Sequence, residues 1–127
     1  MPSTQIVIVD DSAPLRTLLK QVLKNAKFNV VGEAATARSA LELIERLSPD
    51  IVCLDIELPD GNGLELLTEI RSRSPQSRVI MVTGDSERSS VEQAIRAGAS
   101  GYMVKPFRSA DVLQLIRKIS ANQATAD

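Results

Sequence analysis

Residues 5–14, QIVIVDDSAP, contain the clearest evidence for the fold. Residues 6–9 form a continuous aliphatic run, which is typical of a strand in a parallel sheet that is covered on both faces. Two adjacent acids, Asp10 and Asp11, follow this run directly, and Pro14 suits the first turn of a helix. The stretch therefore predicts a strand, a charged turn and a helix start, with two like charges that need a counter-charge.

The same pattern recurs along the chain. Short β-branched runs predict five strands, at residues 6–9, 30–31, 51–54, 79–82 and 102–104. Apolar residues with helical spacing fill the intervals, with Thr36 and Ser109 as predicted N-terminal caps and Gly98 as a predicted C-terminal glycine. Strands joined by single helices predict an open α/β sheet. Because such crossovers are right-handed, the carboxyl ends of the strands are expected to share one edge.

Length and composition limit the functional classes. The 127 residues match one domain, with a predicted core at about residues 5–120 and a frayed tail at residues 121–127. A net charge of −1 disfavours direct nucleic-acid binding, and no apolar run approaches membrane-spanning length. The absence of His excludes histidine-dependent catalysis and imidazole zinc sites. Because the one cysteine, Cys53, lies in an apolar run and no signal sequence is evident, a cytoplasmic location is predicted.

Polar side chains follow four of the five predicted strands. Asp10 and Asp11 follow the first, Asp55 the third, Thr83 the fourth and Lys105 the fifth. Open α/β sheets bind ligands at this edge, so these side chains are predicted to converge there. Clustered carboxylates without His or Cys suit a hard cation that works with phosphate, which favours Mg²⁺, or Mn²⁺ in its place. Lys105 and Thr83 would then face the oxygens of a phosphoryl group.

With these residues assigned, the sequence resembles the receiver domain of two-component response regulators. The motifs VDDS, CLDIELPDGNGLELL, VTGD and GYMVKPF occur in the family's order and spacing. The resemblance implies a single receiver domain over residues 1–127 with a flavodoxin-like, doubly wound (βα)5 fold. This fold is a three-layer sandwich around a five-stranded parallel sheet of order 2-1-3-4-5.

The resemblance also implies a role for each residue at the strand ends. Asp55 is similar to the phosphoacceptor, Asp11 to the direct metal ligand, and Asp10 to the acid that acts through metal-bound water. The main-chain carbonyl of Glu57 falls where the family supplies a further metal ligand. Lys105 matches the lysine that pairs with the phosphoryl group.

Further positions resemble the family's switch. Thr83 matches the switch hydroxyl and Tyr102 the switch aromatic, and the peptide bond before Pro106 is expected to be cis. Glu57 and Asp85 each lie two residues beyond a site residue, the phosphoacceptor or the switch threonine. Both side chains are expected to border the site and to change the lifetime of the phosphoryl group.

The predicted function is a receiver that takes a phosphoryl group from a histidine kinase or a histidine phosphotransfer protein. Such a domain is not an ordinary enzyme, although it catalyses its own phosphorylation and dephosphorylation. Phosphorylation is expected to remodel the face of the fourth helix, fifth strand and fifth helix, which would bind an effector or output domain or form a homodimer. Two alternatives stay open: a Mg²⁺-dependent small-molecule phosphatase or phosphotransferase, and a receiver-like binding module that is not phosphorylated.

Overall fold

The five apolar runs form one parallel sheet. The computed structural model describes residues 4–84 and 88–125, the side chains at 88–90 and 122–125 excepted. Its sheet contains β1 (Gln5–Val9), β2 (Asn29–Ala34), β3 (Ile51–Asp55), β4 (Arg78–Thr83) and β5 (Gly101–Val104). The order across the sheet is β2-β1-β3-β4-β5, and every neighbouring pair is parallel. The predicted α/β class and strand order are therefore confirmed.

A helix follows each of these strands. Within the described residues the helices are α1 (Ala13–Asn25), α2 (Ala37–Leu47), α3 (Gly63–Arg73), α4 (Arg88–Arg96) and α5 (Ser109–Thr125). Ser12 and Thr36 accept hydrogen bonds from N–H groups in the first turns of α1 and α2, so the predicted Thr36 cap is confirmed. Gly98 has a φ of +104°, as expected for a glycine just beyond the end of α4.

Two expectations about the last helix are wrong. Ser109 is the first residue of α5 rather than its cap, because the carbonyl of the preceding Arg108 already accepts from the Val112 N–H. The helix also continues to Thr125, through most of the segment that was expected to be a frayed tail. Residues 121–125 include Ala and Gln, which favour helix, and contain neither Gly nor Pro, which would end it.

Alternate residues of the strands point to opposite faces of the sheet and form two apolar cores, one on each face. Val7, Val9, Val52 and Leu54 pack with side chains of α2, α3 and α4. Ile6, Ile8, Ile51 and Cys53 pack with side chains of α1 and α5. Because both faces are covered, β1, β3 and β4 are buried along almost their whole length, and the molecule has three layers, as predicted. No helix in the described part of the chain is long and apolar enough to cross a membrane.

Cys53 is expected to be inert to thiol reagents in the folded protein. Its side chain is 1% exposed, and burial raises the pKa of the thiol to about 12. Because the thiolate is the reactive form, a chromogenic disulfide reagent at neutral pH should label Cys53 in denaturant but not in buffer. Rapid labelling of the native protein, followed by absorbance, would contradict this placement.

Candidate functional site

The sheet brings the predicted site residues to one edge. Asp10 directly follows β1, and Asp55 is the last residue of the neighbouring β3. Thr83 ends β4 and is buried, and Lys105 follows β5. The Lys105 N–H donates to the Thr83 carbonyl at 2.7 Å, which ties the ends of β4 and β5 together. These residues therefore meet at the carboxyl edge of adjacent strands, as predicted, and Asp11 lies beside them.

Three carboxylates lie close together at this edge. One carboxylate oxygen from each of Asp10, Asp11 and Asp55 lies within 4.8 Å of the others. Asp10 and Asp55 are 2% and 5% exposed, whereas Asp11 is exposed to solvent. Oxygen ligands on one side and solvent on the other suit a hard divalent cation that keeps part of its water. The three acids could therefore hold a metal ion, with Asp11 on the open side.

The ammonium of Lys105 contacts the two buried carboxylates. Its Nζ donates to Asp10 Oδ2 at 3.0 Å and to Asp55 Oδ2 at 3.3 Å. Burial alone opposes the charged ammonium, but the hydrogen bonds and charges of Asp10 and Asp55 outweigh it and raise the pKa of Lys105. The lysine is therefore charged at neutral pH and offsets part of the repulsion between the two acids.

Asp55 is a buried carboxylate with a hydrogen-bond donor on each oxygen. Its Oδ1 accepts from the Glu57 N–H at 3.2 Å, and its Oδ2 accepts from Lys105. Burial raises the pKa of Asp55, and the charge of Asp10 adds to this effect, while the Glu57 N–H and Lys105 oppose it. The hydrogen bond from the Glu57 N–H also holds the main chain of Glu57 next to the Asp55 carboxylate. The carbonyl of Glu57 is the predicted metal ligand.

The loop after Asp55 is a short hairpin. Glu57–Leu58 pairs antiparallel with Gly61–Asn62, and α3 then begins at Gly63. The Gly63 N–H donates to the Ile56 carbonyl at 2.6 Å, so the start of α3 packs directly on the chain that leaves β3. The Pro-Asp-Gly sequence at the tip of the hairpin favours a tight turn, which returns the chain to the site.

Two side-chain contacts were not predicted from the sequence. Asp60, in the hairpin, accepts from the Ala37 and Arg38 N–H groups at 2.7 and 3.1 Å, and so caps α2 from a distant loop. Arg16 Nη1 donates to the main-chain carbonyl of Asp10 at 2.6 Å. A basic residue in the first turn of a helix, where acids are favoured, is the one signal that could have drawn attention to Arg16.

The remaining predicted residues are placed as follows. Thr83 is 3% exposed and Tyr102 is 43% exposed, and the peptide bond before Pro106 is cis, as expected. The Glu57 side chain is exposed. Asp85 lies outside the described residues. The roles of these residues in switching and in phosphoryl lifetime stay predictions.

Comparison with known protein sequences agrees with the geometry. The family model for the response regulator receiver domain matches residues 6–117. The chemotaxis protein CheY of Thermotoga maritima is 37% identical over 116 residues, which cover 91% of this chain and 97% of that protein. The similarity therefore includes all five strands and every strand end that carries a site residue.

Solved structures show the same fold. A CheY-like receiver domain protein from Methanospirillum hungatei JF-1 is similar with a TM-score of 0.94 and 32% identity, covering 99% of this chain and 100% of the other. A chain in the CheX-CheY-BeF3-Mg²⁺ complex from Borrelia burgdorferi has a TM-score of 0.89 and 30% identity, covering 94% and 90%. From its strand order, its acidic cluster with a paired lysine, and these similarities, the chain belongs to the response regulator receiver domain family of two-component signalling.

Proposed function

We propose that this chain is a single receiver domain that accepts a phosphoryl group on Asp55 with Mg²⁺ bound at the acidic cluster. The donor would be the phosphohistidine of a histidine kinase or a histidine phosphotransfer protein in the cytoplasm. The observation that carries the proposal is the buried Asp55 carboxylate with Asp10, Asp11 and Lys105 around it at one sheet edge. The Borrelia complex, which contains Mg²⁺ and BeF3, supports the proposal by analogy.

Each residue at the edge has a distinct part in the proposed reaction. A Mg²⁺ or Mn²⁺ ion bound there would supply positive charge to the phosphoryl oxygens. Asp11, Asp55, the Glu57 carbonyl and, through water, Asp10 would hold it. A carboxylate oxygen of Asp55 attacks phosphorus, the phosphorus–nitrogen bond breaks, and the imidazole leaves with the donor protein. Lys105 offsets the charge that builds up between the two anionic reactants.

The proposed output is a change in the face made by α4, β5 and α5. Phosphorylation adds about −1.5 to −2 charge and three strong acceptor oxygens, which would draw in the hydroxyl of Thr83. Tyr102 is 43% exposed and would then rotate inward, which changes the face that an effector, an output domain or a second copy contacts. Glu57 and Asp85 would border the phosphoryl group and change its lifetime.

The direct test is incubation of the protein with Mg²⁺ and acetyl phosphate or phosphoramidate. These donors do not require a partner kinase, so the result depends on the chemistry of this chain alone. We expect the intact mass to increase by one phosphoryl group, and excess EDTA to prevent the increase. A wild-type protein whose mass is unchanged at saturating Mg²⁺ and donor would overturn the proposed function.

Mg²⁺ at millimolar concentration is expected to raise the melting temperature, and Asp11→Ala to remove most of that rise. A ligand that binds only the folded protein stabilises it, by about 2.7 kcal/mol when its concentration is 100 times Kd. Asp11 contributes the exposed carboxylate of the cluster, so its replacement by Ala removes a proposed metal ligand without creating a cavity in the core. Thermal unfolding over a Mg²⁺ series measures the effect.

Glu42→Ala is the matched control for this prediction. Glu42 is an acid on the surface of α2, outside the acidic cluster, and its side chain is 76% exposed. Its loss removes the same charge as Asp11→Ala but no metal ligand, so the response to Mg²⁺ should be retained. Equal responses in the two variants would show that Asp11 is not a ligand.

A further inference from the structure

A second hydrogen-bond network adjoins the acidic cluster. Arg16 Nη1 donates to the main-chain carbonyl of Asp10 at 2.6 Å, and Arg16 Nε donates to Glu33 Oε1 at 3.0 Å. The other carboxylate oxygen of Glu33 accepts from Lys20 Nζ at 2.6 Å. The Arg16 side chain is only 16% exposed. The guanidinium is therefore held between an anion and one peptide group of the site.

The elements of the fold explain how this network forms. Arg16 and Lys20 lie one turn apart on α1, and Glu33 lies on β2, where it is paired with Ile8 of β1. A hydrogen bond from Lys20, and a smaller effect of the hydrogen bond from Arg16, lower the pKa of Glu33. Glu33 therefore remains an anion at neutral pH. The guanidinium fork of arginine can reach two acceptors in fixed directions, which a single ammonium cannot reproduce.

The carbonyl that Arg16 contacts is well placed to control Asp11. The carbonyl of Asp10 and the N–H of Asp11 belong to one planar peptide group, so a bond to that carbonyl restrains the whole plane. Asp10 itself is already held, because its N–H donates to the Ala34 carbonyl at 3.0 Å and its Oδ1 accepts from the Ser12 N–H at 2.9 Å. Asp11 is exposed, so little packing fixes its side chain, and the main chain sets the point and direction from which that side chain extends.

We infer that Arg16, anchored by Glu33, is a positioning residue for the metal site, which keeps the Asp11 carboxylate within reach of Asp10 and Asp55. The inference rests on the proposed function, because it assigns Arg16 a part in Mg²⁺ binding at the same acids. Charge alone predicts the opposite effect. A cation near the site repels Mg²⁺, so removing Arg16 would strengthen binding if its field were all that mattered.

The test compares Arg16→Met with Lys20→Met. Both changes remove one positive charge from α1 and one bond to Glu33, but only the first removes the bond to the Asp10 carbonyl. The Mg²⁺ concentration that gives half of the maximal rise in melting temperature is measured for each. We expect it to increase about tenfold in Arg16→Met, the lower end of the effect of losing a residue that orients a metal ligand. Lys20→Met should leave it unchanged or lower it.

Two further measurements separate positioning from a general loss of stability. Urea unfolding in EDTA gives the stability of each variant without Mg²⁺. The rate of phosphorylation by acetyl phosphate should approach the wild-type rate once Mg²⁺ is saturating, so the defect lies in the Mg²⁺ requirement and not in the maximal rate.

Arg16→Lys keeps the positive charge but not the guanidinium fork, and should also raise the half-saturating Mg²⁺ concentration. It replaces Arg16→Met if that variant does not fold.

An unchanged or lower half-saturating concentration in both Arg16 variants would overturn the inference and leave the proposed function intact. A wild-type protein that shows neither stabilisation by Mg²⁺ nor phosphorylation would overturn the proposed function, and this inference with it. An increase of equal size in Lys20→Met would assign the result to the loss of a bond to Glu33, which both variants share, and would equally overturn a positioning role for Arg16 through the Asp10 carbonyl.

Discussion

Asp55→Asn is expected to abolish phosphoryl incorporation from acetyl phosphate in the presence of Mg²⁺. An amide is not a carboxylate nucleophile and cannot form the acyl phosphate that the proposed reaction makes at Asp55. The substitution preserves the size of the side chain, so the loss should reflect chemistry and not packing. Intact mass after incubation with donor, with the wild type in parallel, measures the result.

Asp111→Asn provides the matched control. Asp111 is an exposed acid in the first turn of α5, and its replacement makes the same chemical change away from the acidic cluster. This variant should incorporate one phosphoryl group as the wild type does. Incorporation into Asp55→Asn to the wild-type extent would mean that a different residue is the phosphoacceptor.

The same substitution at Asp55 is expected to stabilise the protein in EDTA. Burial raises the pKa of Asp55, so the charged form is less favourable in the folded protein than in the unfolded chain. Because the folded protein then binds the proton more tightly, wild-type stability increases as the pH falls through the raised pKa. The advantage of Asp55→Asn in urea unfolding should therefore be present at neutral pH and shrink towards about pH 4, near the usual pKa of Asp. A variant that is less stable at neutral pH would contradict the pKa direction.

Gly63→Ala is expected to be among the most destabilising single substitutions in the chain. A Cβ at this position would overlap the carbonyl oxygen of Asp55 and lie 2.6 Å from the Cα of Ile56. Both neighbours are main-chain atoms, so either the end of β3 or the start of α3 must move. Overpacking of this kind costs about 1–3 kcal/mol and occasionally more. Because the displaced chain carries Asp55, phosphorylation should also slow.

Gly61→Ala separates this effect from a general effect of adding a methyl group to the hairpin. A Cβ at Gly61 would meet only the Cβ of Ala37, at an ordinary contact distance of 3.6 Å. Its free energy of unfolding should therefore remain within about 0.5 kcal/mol of the wild type. If urea unfolding gives similar stabilities for the two variants, the close packing of Gly63 on β3 is not as described.

Most of the sheet and the membership of the site could be predicted from the sequence. A strand that is buried on both faces must be apolar throughout, so each run and the polar residue after it stand out in the sequence. Asp10, Asp55, Thr83 and Lys105 were located in this way, and the parallel order brought them to one edge. Helix ends were harder to predict, since their signals are local and weak, and the extension of α5 to Thr125 was missed.

The contacts between these residues arise only when distant parts of the chain pack together. Lys105 donates hydrogen bonds to Asp10 and Asp55, which lie 95 and 50 residues away in the sequence. Arg16 donates to Glu33, which lies 17 residues away. No local pattern specifies such a partner, because a hydrogen bond depends on where two side chains lie after α1, β2 and β5 have packed. Continuous apolar runs therefore identify the strands and the residues at their ends, while tertiary packing sets the orientation of each carboxylate.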